Sequence, residues 1–407
     1  MTGRGLVRGR LLLMVLLGAC SSLGPLALNV YLPGLPSVQE ALGGDLASVQ
    51  ATVSLPLVAF GVALALLGPV ADQYGRRSTL LAGLLLFGVG CVVSGFASSL
   101  GLLSLGRILS SVGTATTFIA SRAIVADLSP REHLQRSVAQ ITMIMLVVQM
   151  IAPIFGNGVL AFGGWRAIQF VLLALGALIF ACVWFAVSET LPTGGDAPVR
   201  SASLGQLLAP SFRLLQRRPF VILFLQVGLL YSAYPAFIAI APHLMIEVFH
   251  RPATEYSYYY SCLPIGYFLG NAFVLRYGHR MGTHRLVLAG AVVAMLSAAL
   301  SLILLARGIR HPLALFVPAG TLVNVGIGLA LPSVSARAVH AAWPNTASGW
   351  GLVGFSQQLI AAFSVQLLGF LPATSPFPVV WICFALPAGA VLLQYLSQSE
   401  EARAPQS

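Results

Sequence analysis

Residues 68–77 read Gly68-Pro69-Val70-Ala71-Asp72-Gln73-Tyr74-Gly75-Arg76-Arg77. Long apolar runs flank this stretch on both sides. It is therefore a tight polar turn between two hydrophobic segments. Gly75 permits a backbone conformation that a side chain would obstruct. Asp72 suits a helix N-terminus, where the helix dipole favours negative charge. Arg76 and Arg77 can reach a carboxylate on a neighbouring helix. Half a chain later, Arg276-Tyr277-Gly278-His279-Arg280 occupies a similar place. Each stretch follows the second apolar run of its half, so the chain reads as two related halves, as transporters are often built.

Composition gives the same class. Of the 407 residues, 57% are hydrophobic and 8% are charged. A soluble domain carries about a quarter charged residues, so the chain is a polytopic membrane protein. Twelve apolar stretches are long enough to span a bilayer. They are residues 9–31, 48–70, 78–97, 101–125, 137–161, 166–188, 219–242, 256–275, 285–306, 312–334, 347–370 and 377–396. The longest polar interruption divides them into two sets of six. The expected organisation is a six-helix half over 1–190, a cytoplasmic linker over 191–217, a second six-helix half over 218–397 and a cytoplasmic tail over 398–407.

All 22 basic residues are arginine. With the N-terminus placed in the cytoplasm, seventeen arginines fall inside and four fall outside (Arg166, Arg251, Arg307 and Arg310). That is a strong positive-inside bias. It explains the net charge of +11 without nucleic acid. The N-terminus, MTGRGLVRGRLLLMVLLGACSS, also resembles a lipoprotein signal ending at Cys20. Cleavage there would leave one half with five helices, so the segment is read as a retained first helix. The five cysteines show no metal or disulfide spacing, and no metal or cofactor is expected. No catalytic constellation is present. With no lysine there is no phosphate-binding glycine–lysine loop, which excludes ATP-driven transport.

The loop at residues 68–77 resembles that of the major facilitator superfamily, and the resemblance extends over the whole chain. Further stretches resemble its bicyclomycin/chloramphenicol-resistance exporters. These are Asn29 to Pro36, Arg122-Ala123-Ile124-Val125-Ala126-Asp127, and Ala241-Pro242-His243-Leu244-Met245-Ile246-Glu247. Ala152-Pro153-Ile154-Phe155-Gly156 is similar to the helix 5 element of the superfamily's antiporters, and Gly164-Trp165-Arg166 follows in place. The resemblance implies an all-α fold of twelve helices in two pseudo-symmetric halves. It implies drug:proton antiport by alternating access in the bacterial inner membrane, with both termini cytoplasmic and the protein monomeric. Asp72 would rest against the eleventh helix near Asn345 to Ser348, and Arg76 would pair with Asp127. Gly68, Gly75, Arg77, Arg122, Pro153 and Gly156 complete the expected gating set.

Arg107 is the one charge well inside a span. A buried arginine there is costly and marks a functional site by default. By resemblance it serves proton coupling or substrate binding, although Ser110 stands where the family often has glutamine. The expected coupling and binding set is Asn29, Tyr31, Arg107, Gln149, Tyr231, Tyr234 and Gln357. Gln226, Asn271 and Gln358 are further lining residues, because polar groups in spans tend to face the interior. The run Tyr256 to Ser261 reads as an interfacial aromatic belt. Few polar anchors among aromatic walls suit an amphipathic ligand. None of the eleven carboxylates lies mid-span, and Asn29 replaces the aspartate usual in this branch. Three readings follow: coupling through an interfacial carboxylate, transport driven by substrate charge, or no coupling. Export of one endogenous metabolite and a transport-inactive sensor or scaffold are the other functional readings.

Overall fold

The structure is a computed structural model. It describes the backbone of residues 3–128, 134–190, 211–252, 255–309, 311–342, 346–371 and 374–403. Side chains at 3–11, 68–73, 126, 134–139, 279, 346–348 and 399–403 lie outside that description. The elements are helical. They are α1 (Gly3–Tyr31), α2 (Leu46–Tyr74), α3 (Arg76–Gly95) and α4 (Leu100–Leu128). The helical stretch Leu134–Ala186 is broken at Gly164, whose φ of 69° belongs to glycine. It is two spans, α5 (134–163) and α6 (165–186). Then come α7 (Arg218–Glu247), α8 (Leu263–Met281), α9 (Thr283–Ala306), α10 (Val323–Ala341), α11 (Thr346–Gly369) and α12 (Phe377–Arg403). A π-helical stretch, Phe316–Leu322, leads into α10.

Ten stretches of described residues are long and apolar enough to cross a membrane. The break at Gly164 divides one of them, and α8 adds another, its mean lowered by Asn271, Arg276, His279 and Arg280. Twelve membrane helices result. Large apolar side chains face outward, among them Phe162 at 95% and Phe185 at 87% exposed. Such a surface is stable only against lipid. The protein is a multi-pass membrane protein.

Contacts divide the chain into two compact units: residues 1–37 with 62–207, and residues 38–61 with 208–407. In the first, α3 and α4 approach through glycines. A Cβ at Gly83 would lie 2.9 Å from Gly113 O, and one at Gly106 would lie 2.8 Å from Gly90 O. Small residues at a membrane helix interface let backbones meet, and dispersion then holds them. Gly156 on α5 meets Val30 of α1 in the same way, with its Cβ 2.5 Å from Val30 O. Cys20 is buried in α1, and its carbonyl accepts a bond from Thr117 Oγ1 at 3.2 Å.

In the second unit, α9 and α10 interlock through Gly290 and Gly326. The first part of α2, residues 46–61, belongs here. Gln50 Nε2 donates to Ala239 O at 3.1 Å, Ser54 Oγ to Gln366 Oε1 at 2.7 Å, and Gln366 Nε2 to Ala47 O at 3.1 Å. His243 Nε2 and Gln39 Oε1 are 3.1 Å apart. Asp45 precedes α2 and accepts from the Ser48 amide at 3.0 Å and from its hydroxyl. These bonds hold the Asp45 carboxylate below its ordinary range.

Candidate functional site

The turn between α2 and α3 is built on Gly75, with φ 93° and ψ 147°. A Cβ there would also strike Glu189 Oε2 at 2.5 Å. Glycine is therefore required twice, for its backbone angle and for its lack of volume. Glu189, just beyond α6, accepts from the Arg76 amide at 2.8 Å and from the Arg77 amide at 3.2 Å. A carboxylate thus takes up the unsatisfied first-turn amides of α3. The Arg76 side chain turns to Asp127 at the end of α4, with Nε 3.3 Å from Oδ2. Thr190 Oγ1 donates to the same oxygen at 3.0 Å. Arg77 donates from Nη2 to Trp184 O at 2.8 Å and lies 5.2 Å from that indole. Arg122 lies over Phe118 at 4.3 Å.

The structure thus joins Gly75, Arg76, Arg77 and Asp127, and adds Glu189 and Thr190, which sequence reasoning left unused. Gly68 lies in the last part of α2, while the side chain of Asp72, the residue Asn345 and the side chains of Thr346 to Ser348, expected to meet Asp72, lie outside the described residues.

A second group lies deeper in the same unit. The Arg107 guanidinium sits 3.6 Å above the Tyr31 ring centre. Arg107 is 6% exposed, and Tyr31 and Asn29 are buried. Asn29 Nδ2 donates to Pro25 O at 2.7 Å, which directs its amide nitrogen along α1. Ser110 bonds back to Arg107 O at 3.0 Å. Gln149 is half-buried on α5, one turn from Pro153.

The second unit holds an aromatic cluster. The Tyr234 and Tyr260 hydroxyls are hydrogen-bonded, with ring centres 6.5 Å apart. Tyr256 packs on Tyr260 at 5.7 Å, and Phe316 meets both Tyr259, at 5.1 Å, and Phe237, at 5.3 Å. The aromatic-belt reading needs correction. Tyr256 and Tyr260 are fully buried, and Tyr258, at 71% exposure, faces outward. Residues 256–260 form one helical turn, so positions four apart share its packed face. Tyr231 and Gln357 are half-buried on α7 and α11.

Gln226 was expected to line a cavity. It is instead fully buried and donates to Ala390 O and Gln394 Oε1, each at 3.0 Å. Gln394 is a hub that the sequence did not reveal. Arg337 Nη1 donates to its Oε1 at 3.2 Å, and its Nε2 lies 2.9 Å from His284 Nδ1. Arg337 also donates to Ser397 Oγ at 2.7 Å. This network joins α7, α9, α10 and α12. In the first unit, charged Arg76, Asp127 and Glu189 join α3, α4 and the end of α6.

The family model described as Major Facilitator Superfamily matches residues 16–365. Multidrug resistance protein D of Escherichia coli is 28% identical over 368 residues, covering 89% of each chain. The chloramphenicol resistance protein of Pseudomonas aeruginosa is 26% identical over 396 residues, 96% of this chain and 91% of its own. Among solved structures, a bacterial homolog of the human lysosomal transporter Spinster, inward-facing and unoccupied, gives a TM-score of 0.72. It is 15% identical and covers 98% of this chain and 99% of its own, a likeness of fold.

Proposed function

The chain belongs to the Major Facilitator Superfamily, and from that premise we propose that it is a secondary exporter of amphipathic small molecules in the bacterial inner membrane. Its halves, residues 1–190 and 218–397, alternate access to a midplane site. The observation that carries the reading is the cluster of Arg76, Asp127 and Glu189 at the Gly75 turn. A half-exposed ion pair adds little stability, so its use is to hold one conformation and release another. Resistance proteins of similar sequence supply the drug class. The proton is the driving ion by analogy, and monomeric function and cytoplasmic termini belong to the same proposal. Substrate charge is the second reading of the driving force, favoured by carboxylates confined to helix ends and loops.

The test is accumulation of a dye and antibiotic panel in exporter-depleted cells, with and without a protonophore. Wild type should lower accumulation of at least one compound, and the protonophore should abolish that effect. Arg107→Ala and Asp72→Ala should reach the membrane at wild-type levels and lose most of the efflux. Full export by both variants would remove these residues from the mechanism. Indifference to every compound would remove drug export itself.

A further inference from the structure

The connection that leads into α7 carries Arg213, Arg217 and Arg218 close together, beside Phe212. Residues 211–215 form a short helix. Its Leu214 is 1% exposed and packs in one cluster with Phe220 and Phe224 of α7, Ala342 at the end of α10 and Leu352 of α11. The Gln216 amide then donates to Arg213 O at 3.3 Å and the Arg217 amide to Leu214 O at 3.0 Å, which turns the chain into α7. The buried leucine fixes which face of this segment looks outward. Phe212 is 63% exposed, and Arg213, Arg217 and Arg218 are exposed with it.

Arginines elsewhere are used inside the fold. Arg76 pairs with Asp127, Arg77 and Arg166 donate to main-chain carbonyls, and Arg337 donates to Gln394 and Ser397. Among the described residues, Arg213, Arg217 and Arg218 make no side-chain hydrogen bond or ion pair. The sequence holds no carboxylate between Asp196 and Glu247, and the first turn of α7 has none. Three like charges this close repel one another. A phenyl ring left in water beside them is also unfavourable. The bilayer surface relieves both. The membrane-crossing stretch of α7 begins at Arg218, so the guanidinium groups stand near headgroup height and the phenyl ring can reach the acyl boundary.

We propose that Arg213, Arg217 and Arg218, with Phe212 beside them, seat the headgroup of an anionic phospholipid from the surrounding bilayer. The paired oxygens of a phosphodiester match the fork of a guanidinium. The acyl chains supply the apolar contact that a soluble anion does not offer Phe212. Three arginines at a membrane surface favour an anionic over a zwitterionic headgroup by about 100-fold at low salt. The bound lipid then holds residues 211–215 from outside, as Leu214 holds them from within. The inference needs only that the chain lies in a membrane, and it stands or falls apart from the exporter reading.

The full-length protein is melted in a neutral maltoside detergent at low salt with phosphatidylglycerol, with phosphatidylcholine of the same chains, or with glycerol phosphate alone. Phosphatidylglycerol should raise the wild-type midpoint by about 3 °C or more, and the other two by less than about 1 °C. The combined variant Arg213→Gln, Arg217→Gln and Arg218→Gln should lose most of that shift. A comparison variant at exposed arginines around Gly282, combining Arg276→Gln, Arg280→Gln and Arg285→Gln, should keep it. Native mass spectrometry should count one retained phosphatidylglycerol fewer in the first variant than in wild type. No shift with phosphatidylglycerol, or an equal shift with phosphatidylcholine, would overturn the proposal. An equal shift with glycerol phosphate would make the seat one for a soluble anion and overturn the lipid. Equal loss in both variants would reduce the effect to diffuse attraction and overturn the site. Arg213→Gln alone leaves α7 untouched and should lose about a third of the shift. It decides the matter where the combined variant does not fold, and full retention of the shift would count against the seat.

Discussion

Gly75 shows how much one residue can determine. Its φ of 93° lies outside the range that other residues tolerate cheaply, and a Cβ would meet the carboxylate that caps α3. Gly75→Ala should therefore cost about 1–3 kcal/mol through backbone strain, with a further loss as Glu189 is pushed from the Arg76 and Arg77 amides. The measurement is thermal unfolding in detergent for Gly75→Ala, Glu189→Ala and the pair. The double variant should lose less than the sum, because removing Glu189 relieves the clash but not the strained angle. Strict additivity would mean that the two residues do not meet. The sequence announced Gly75, since glycine before paired arginines in a short loop has few other uses. It did not announce Glu189, which stands 113 positions from Arg76 at the end of the first half, where the long polar interruption begins. A cap brought from another helix leaves no local pattern.

Elements were legible where periodicity and length carry the signal. Ten of the expected spans coincide with single helices, and the join between α5 and α6 falls at Gly164. The span expected at 256–275 is instead divided between the turn at Tyr256–Tyr260 and α8, and the one expected at 312–334 passes through the π-helical stretch into α10. The internal echo was legible only to within a turn. Sequence similarity sets Gly278 opposite Gly75, whereas the structure makes the second turn at Gly282, with φ 75° and ψ 150°. Residues 276–280 lie inside α8 because that helix runs a turn further before it breaks. The packing of α3 on α4 yields a sharper expectation. A Cβ at Gly90 would lie 2.5 Å from Gly106 O, while one at Gly88, on the same helix, would rest 3.5 Å from Leu173. Gly90→Ala must force the backbones apart and should cost about 1–3 kcal/mol, as overpacking does. Gly88→Ala makes ordinary contact and gains helix propensity, so it should be neutral or slightly stabilising. Melting midpoints in one detergent compare the two directly. Equal shifts would show that α3 and α4 do not interlock through that stripe.

On the scale of the whole molecule, charge placement and fold constrain each other. Arginines at 76, 77, 122, 131, 136, 213, 217, 218, 276, 280, 285 and 337 alternate along the chain with loops nearly free of them. Twelve spans return the chain to the side on which it began. Both termini should therefore lie in the cytoplasm together with the Gly75 and Gly282 turns. Fusion of a phosphatase that is active only outside the inner membrane, or of a fluorescent protein that matures only inside it, reads this directly. Junctions after α2, α6 and α12 should fluoresce and lack phosphatase activity. Junctions after α1, α5 and α7 should show the reverse. A phosphatase-active C-terminus would mean one of two things. With the N-terminus still inside, the number of spans would be odd and the pairing of halves would break. With twelve spans, the whole chain would be inverted, which would place the arginine-rich turns outside, against the bias, and remove the cluster of Arg76, Asp127 and Glu189 from the face where the proposed mechanism needs it.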